Sequence, residues 1–318
     1  MSAAIHPLVS PGGRFGLYSF FIDAPEPAII DTGVATSPVE GMAPALAALG
    51  RDIADVRWIL HTHGHIDHIG GTAALWELTE RHAQVAIHTA DAGLLRSPQA
   101  IIDKNLAIGA RYAPTPTLVA DQAAQADAAI SGGVEPTVLL HGGEELDLGG
   151  GVRVRVHHLP GHTAGSVAYE VVGQGDVFTG DAVMLTGAAS GFPGYDDPVG
   201  YRASLEYLRD EVRAERLYLG HPYRWPGGEP AGVVVDDVER ALDTSLVVAD
   251  RIADAWTRLG AQALDAGKAG SRRAQGGLSA FGPFEAIAAE LGYTGDPTHE
   301  PWSFFTTLHG HLTRSNDG

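Results

Sequence analysis

The chain has 318 residues, with 39 acidic against 21 basic side chains and no cysteine. A formal charge of −18 repels a phosphate backbone, because nucleic-acid affinity comes largely from Lys and Arg displacing counterions; no nucleic-acid partner is expected. The lack of cysteine excludes a disulfide framework, a thiolate zinc site and a cysteine nucleophile, and leaves any metal to histidines and carboxylates.

No apolar run approaches the roughly 20 residues that a membrane-spanning helix needs, so no membrane partner is expected. Neither Lys nor Arg precedes Arg14, and no continuous apolar stretch follows, which argues against a secretory signal and makes the cytoplasm the expected location. The length suits two domains, or one large α/β unit with an appendage.

In chain order, Phe15 to Ile22 and Ala28 to Asp31 read as a strand pair bounded by Gly and Pro. Ser37, Pro38 and Glu40 have the pattern of an N-cap, a first helical position and a capping-box partner, with Met42, Leu46 and Leu49 at helical spacing. Val56 to Leu60 predicts a buried strand running into HTHGHIDHIGG, residues 61 to 71. Ala73 to Arg81 reads as helix and Val85 to His88 as strand. From Ala90 to Ala129 the composition turns to Ala, Gln and Asp, broken by Pro114 and Pro116, which predicts an inserted helical lid. Strands resume at Thr137 to Leu140, Val152 to Leu159, Val167 to Val172 and Val177 to Thr179. Asp196 or Asp197 before Pro198 starts a helix to about Val212, and Leu217 to Leu219 is a last short strand ending at Gly220 and His221. Val233 to Leu259 shows a long helical periodicity, Gly267 to Gly277 reads as a loop, and two shorter helices follow. There is no evident internal repeat.

Four potential ligands, His63, His65, Asp67 and His68, fall within six positions at the end of a strand. In an extended backbone alternate residues point the same way, so His63 and His65 can converge on one ion while Asp67 and His68, past the bend, address another. Imidazole nitrogen and carboxylate oxygen are suitable zinc donors. Three more donors each close a predicted strand: His162 in LPGHTAGS, Asp181 in VFTGDAV and His221 in LYLGHP.

With Asp31 in IIDTG, this ordered series resembles the five motifs of the metallo-β-lactamase superfamily of metallohydrolases, over about Phe15 to His221. The resemblance implies an α+β fold, an αβ/βα four-layer sandwich with an inserted helical lid at about 90–130 and a C-terminal helical extension. A hydrolase domain would then span 1–229 and the extension 230–318.

The resemblance also implies two divalent ions, zinc first, with Mn2+ or Fe2+ as substitutes. His63, His65 and His162 would hold one ion, Asp67, His68 and His221 the other, and Asp181 would bridge them. It gives Asp31, Thr62 and Thr163 support roles, as hydrogen-bond partners of ligands. A hydroxide shared by the ions would attack an ester-like carbonyl, with Asp67 orienting it or accepting its proton.

The expected substrate is a small molecule: a lactone, a carboxylic ester or a thioester of the glyoxalase-II type. A mononuclear-iron persulfide dioxygenase and a β-lactam hydrolase are the alternatives. A serine hydrolase finds no GxSxG, and Ser166 sits in a motif explained by metal binding. An intact ligand set argues against a non-catalytic binding module, and homodimerisation stays open. Tyr195 and Tyr201 are the candidate hydrogen-bond donors to the oxyanion or leaving group. Phe192, Tyr112, Trp225 and Trp302 are candidates for an apolar substrate wall. The Arg272 and Arg273 pair reads as a solvated loop, and His61, His157 and His158 as structural residues.

Overall fold

Two six-stranded sheets face one another in a computed structural model that describes residues 2–11, 16–112, 116–188, 191–269, 280–295 and 303–316. The first holds, in spatial as in chain order, β1 (Ala4–Ser10), β2 (Leu17–Asp23), β3 (Ala28–Ile30), β4 (Trp58–Leu60), β5 (Gln84–His88) and β6 (Val138–Leu140). The second holds β7 (Glu145–Asp147), β8 (Arg153–His158), β9 (Val167–Val171), β10 (Asp176–Gly180), β11 (Arg216–Leu219) and β12 (Val234–Val235). The helices are α1 (Ala43–Ala48), α2 (Ile66–Ile69), α3 (Thr72–Leu78), α4 (Ala92–Arg96), α5 (Pro98–Tyr112), α6 (Pro116–Ala128), α7 (Pro198–Glu211), α8 (Val238–Ala269), α9 (Glu285–Leu291) and α10 (Ser303–Asn316).

Alternation along the strands assigns the layers, because successive side chains leave a strand on opposite faces. In β2, Phe20 and Ile22 enter the core between the sheets with Ile30, Leu60, Val154, Tyr169 and Phe178. Phe21 between them points the other way, to Met42, Leu46 and Leu75 under the first helical layer. In β11, Tyr218 faces the intersheet core while Leu217 and Leu219 meet Leu205, Leu208, Leu242 and Leu246 of α7 and α8. The order of layers is therefore helix, sheet, sheet, helix, the αβ/βα sandwich expected. A fourth cluster, Phe192, Ile252, Trp256, Phe284, Ile287, Phe304, Phe305 and Leu308, joins α8, α9 and α10.

Strand direction places the site. β3, β4 and β5 pair in parallel, so their C-terminal ends share one edge. β10 and β11 are parallel, and β8 runs the same way because it and β10 are both antiparallel to β9. Asp31, the histidine motif, His162, Asp181 and His221 all follow these C-terminal ends.

Several elements differ from the sequence reading. β1 was not expected, since its Pro7 opposes strand formation; it lies at a sheet edge, where a missing N–H is tolerated. β7 presents just one buried side chain, Leu146, too little for a period-two signal. Ser37 is not a capping residue: it is helical itself and its hydroxyl accepts from the Val34 N–H at 3.1 Å, so the turn begins upstream of it. The valines at 234 and 235 form β12, and the long helix starts at Val238. Asp197 does cap α7, accepting from the Val199 N–H at 3.1 Å. Gly267, Lys268 and Ala269 lie in α8; the rest of the expected loop, including Arg272 and Arg273, falls outside the described residues, as do Phe15 and Trp302.

Candidate metal centre

The strand ends bring all seven expected donors together. Donor atoms of His63, His65 and His162 lie within 4.8 Å of one another, as do those of His63, His68 and Asp181, and of Asp67, His68 and His221. His63 Nε2 and His162 Nε2 are 3.1 Å apart, and His68 Nε2 and His221 Nε2 3.3 Å apart. Asp181 Oδ2 stands 3.5 Å from His162 Nε2 and 3.4 Å from His221 Nε2, which puts one carboxylate between the two groups.

Groups outside the cluster settle which nitrogens face inward. The Thr62 hydroxyl donates to Asp31 Oδ2 at 2.7 Å, so its lone pair is left to accept from His63 Nδ1–H at 3.0 Å. His68 Nδ1–H donates to the same Asp31 oxygen at 2.8 Å, and His162 Nδ1–H donates to the Gly194 carbonyl. With Nδ1 engaged in each, Nε2 is the nitrogen that His63, His68 and His162 turn to the centre, the arrangement that orients metal-ligating imidazoles. Asp181 Oδ1 is buried and, among the described residues, has no hydrogen-bond partner, with His68 Nε2 3.6 Å away. A buried acceptor of that kind costs free energy unless something positive faces it. The donor set therefore fits divalent ions.

The electrostatics divide the cluster. Burial and neighbouring histidines hold His63 well below the usual imidazole range, burial, His162 and Lys104 do the same for His65, and burial lowers His162. These three are neutral, ready donors. Burial also opposes charge on His68, but Asp181, Asp31 and Asp67 outweigh it and raise its pKa to about 9. His221 is raised in the same way, against burial, chiefly by Asp181. Burial pushes Asp67 and Asp181 up, yet the His68 and His221 charges hold both carboxylates below their ordinary values.

Thr62 and Asp31 occupy their expected places, with Asp31 also accepting from the Thr62 backbone N–H at 2.8 Å. Asp31 does so at φ 59°, a left-handed conformation that Asp tolerates better than most residues. The Thr163 hydroxyl contacts a carboxylate that sequence reasoning missed, Asp91, at 2.6 Å. Asp91 reads in sequence as the turn residue after a strand. Its signal, a carboxylate just past the strand end like Asp31 and Asp181, is too common to single it out.

The proposed substrate contacts have a different setting. Tyr195 is buried and stacks on Tyr201 with ring centres 4.4 Å apart; Phe192 packs against Tyr293 and Phe304; the Tyr112 hydroxyl pairs with His309 Nδ1 at 2.9 Å, its ring stacked on Phe305. All three join the aromatic packing around the C-terminal helices. Trp225 lines a cavity of about 790 Å3 with Thr186 and the first turns of α8, its ring covered by the Arg240 guanidinium. His61 is buried beside Thr72, and burial lowers its pKa to about 4; His157 pairs with Glu170 and Tyr207, and His158 with the Ala164 carbonyl. None of these three belongs to the donor groups.

The family model of the metallo-beta-lactamase superfamily matches residues 12–221, from before β2 to the last donor. This chain belongs to that superfamily. Membership implies divalent-metal binding and places the chain among metallo-hydrolases. Among curated proteins it is 28% identical to a hydroxyacylglutathione hydrolase of Anaeromyxobacter dehalogenans over 301 residues, 89% of this chain and 91% of that one. It is 27% identical to a protein of the same name from Synechococcus over 63% of this chain and 60% of that one, and 28% identical to a probable metallo-hydrolase of Burkholderia pseudomallei over 68% and 64%. Among solved structures, a metallo-beta-lactamase family protein of Thermus thermophilus superposes with a TM-score of 0.68 at 21% identity, covering 98% of this chain and 94% of that one. An archaeal superfamily protein from Sulfolobus tokodaii superposes at 0.56 with 20% identity, covering 78% and 86%. These superpositions bear on the fold. Among the described residues no helix is long and apolar enough to cross a membrane.

Proposed function

We propose that the chain is a dinuclear metal-dependent hydrolase of a small ester-like bond, a thioester ahead of a lactone or carboxylic ester. The observation that supports this reading is the set of inward-facing Nε2 atoms around Asp181, whose Oδ1 has no hydrogen-bond partner among the described residues. His63, His65 and His162 would hold one ion, Asp67, His68 and His221 the second, and Asp181 both. Zinc suits these nitrogen and oxygen donors, with Mn2+ or Fe2+ as substitutes. Divalent ions bound there supply Lewis acidity, which lowers the pKa of water to about 7 and polarises an acyl oxygen.

The chain's own groups do the rest. Asp67 has the most exposed side chain among the candidate carboxylates, at 30%, and His68 and His221 keep it ionised; it orients the attacking water and accepts its proton. Asp31, through Thr62 and His68, keeps the donor loop in register. The helical insert supplies Lys104, paired with Asp196 at 3.2 Å beside the His162 loop, and with the C-terminal helices it sets which substrate enters. The preference for a thioester rests on the relative from Anaeromyxobacter, whose name specifies an acyl-glutathione and whose match spans nearly its whole length. The hydrolase domain is taken as 1–229 and the helical extension as 230–318.

The test is elemental analysis of the purified protein together with a panel of thioester, lactone, simple ester, β-lactam and phosphodiester. Two ions per chain and thioester turnover are expected. One iron with persulfide-dependent oxygen uptake would replace the reading by an oxidoreductase. No metal and no hydrolysis would overturn it.

A further inference from the structure

Asp91 sits where β5 leads into α4, with 2% of its surface exposed. Its Oδ2 accepts from the Gly64 N–H at 2.8 Å and the Thr163 hydroxyl at 2.6 Å; its Oδ1 accepts from the Gly165 N–H at 3.2 Å. Gly64 lies between the donors His63 and His65, and Thr163 directly follows His162. One side chain thus ties together the two loops that carry the three-histidine group. Both glycines leave it room: a Cβ on Gly165 would stand 2.5 Å from Asp91 Cγ, and one on Gly64 3.2 Å from it.

The charge is the unusual part. All three donors are neutral, and none of the ion pairs found among the described residues joins Asp91 to a Lys or Arg. Burying a carboxylate without a cation is costly, because the charge leaves water without a counter-charge to offset the loss. Asp31 is the counterpart on the other side, holding Thr62 and the donor His68. Asp31 reaches both donor groups, His68 directly and His63 through Thr62, whereas the hydrogen bonds of Asp91 go to the loops of the three-histidine group.

We propose that Asp91 is a positioning residue that selectively sustains metal binding by His63, His65 and His162, through loop register and through its uncompensated negative charge. The inference rests on the metallo-hydrolase reading above. Asp91→Asn separates it from simple packing, because the amide is isosteric but uncharged and has one acceptor oxygen. Either the Gly165 N–H or the Gly64 and Thr163 donors must then face an NH2 group.

The experiment is zinc titration against a competing chelator, on the full chain in two single-ion backgrounds. In His221→Ala, which leaves the three-histidine group, Asp91→Asn should weaken the remaining zinc by about 10–100-fold, the usual cost of losing an outer partner of a metal ligand. In His162→Ala, which leaves Asp67, His68 and the rest, the same change should stay within about twofold, as for separate sites. Equal weakening in both backgrounds, or none in the first, overturns the proposal. Should Asp91→Asn not fold, Thr163→Val in the His221→Ala background removes one donor to Asp91 and should cost roughly fivefold, with Thr163→Ser restoring the affinity. An unchanged affinity in Thr163→Val likewise overturns it. If the unaltered chain takes up no zinc, the metallo-hydrolase reading falls first, a result distinct from two zinc sites that ignore Asp91.

Discussion

The strand-end rim and the C-terminal helical layer are held together by different forces. At the rim, short polar side chains place the donors: Asp31, Thr62, Asp91 and Thr163 are buried and meet one another or nearby backbone at 2.6 to 3.2 Å. In the helical layer, Phe284, Phe304 and Phe305 pack with Tyr112, Trp256 and Tyr293 through ring contacts of 4.9 to 6.4 Å, and apolar burial supplies the stability. Hydrogen bonds fix direction and distance, whereas apolar contact fixes mainly volume. The rim suits chemistry that tolerates little misplacement. The layer suits a wall that can be reshaped. The two meet at Thr307 of α10, whose hydroxyl accepts from the Tyr195 N–H at 3.0 Å and donates to the Pro193 carbonyl at 2.7 Å, either side of the Gly194 carbonyl that receives His162 Nδ1–H.

Perturbing each region sharpens the contrast. The largest effect is expected for Asp181→Ala, which removes the carboxylate shared by both donor groups: metal content should collapse and turnover fall by more than the about 100-fold cost of an outer partner. Two retained ions with full activity would break the assignment. In the layer, Phe305→Ala should cost about 3–5 kcal/mol of unfolding free energy while metal stoichiometry stays unchanged, which denaturant titration with elemental analysis would measure.

The layer also carries a pH dependence of its own. His311 stacks on Trp256, and its burial, partly opposed by Asp197, lowers its pKa to about 4. The unfolded chain takes up this proton first as pH falls below about 6.5, so stability is lost between there and about 4, and no further loss from this group follows below that. The loss should approach about 3 kcal/mol. Melting of the metal-free protein at pH 7 and 4.5 should show it, and His311→Leu should remove that share.

Smaller changes concern selectivity. Deleting residues 113–126 of the insert should alter relative kcat/KM across the substrate panel by about tenfold, with metal content left near two per chain. Unchanged kinetics would deny the insert its role. Thr307→Val should be mildest, roughly threefold in kcat, because it loosens the loop behind His162 without touching a donor.

Much of this was legible in the residues. His63, His65, Asp67 and His68 stand out by spacing and His162, Asp181 and His221 by each closing a strand, and the resemblance of that order to the superfamily's motifs made their convergence an expectation before any coordinates. The two-sheet sandwich was implied by the resemblance of the ordered motifs to the metallo-β-lactamase superfamily, and the short apolar segments showed only that two runs of strand occur. Illegible were the edge strands β1 and β7, one carrying a proline and the other a single buried residue, and the start of α8, where β-branched valines join a sheet instead.

Donor chemistry and its order along the chain are local properties, written in side-chain type and in the period-two pattern that ends each strand, and the amino-acid sequence alone determined them. Tertiary structure decided what lies behind the donors. Asp91 meets Thr163 across 72 residues, and Tyr112 meets His309 across 197. Whether a buried carboxylate clamps two loops, or an aromatic fills a core instead of lining a mouth, depends on which distant surface folds against it, and no local pattern encodes that.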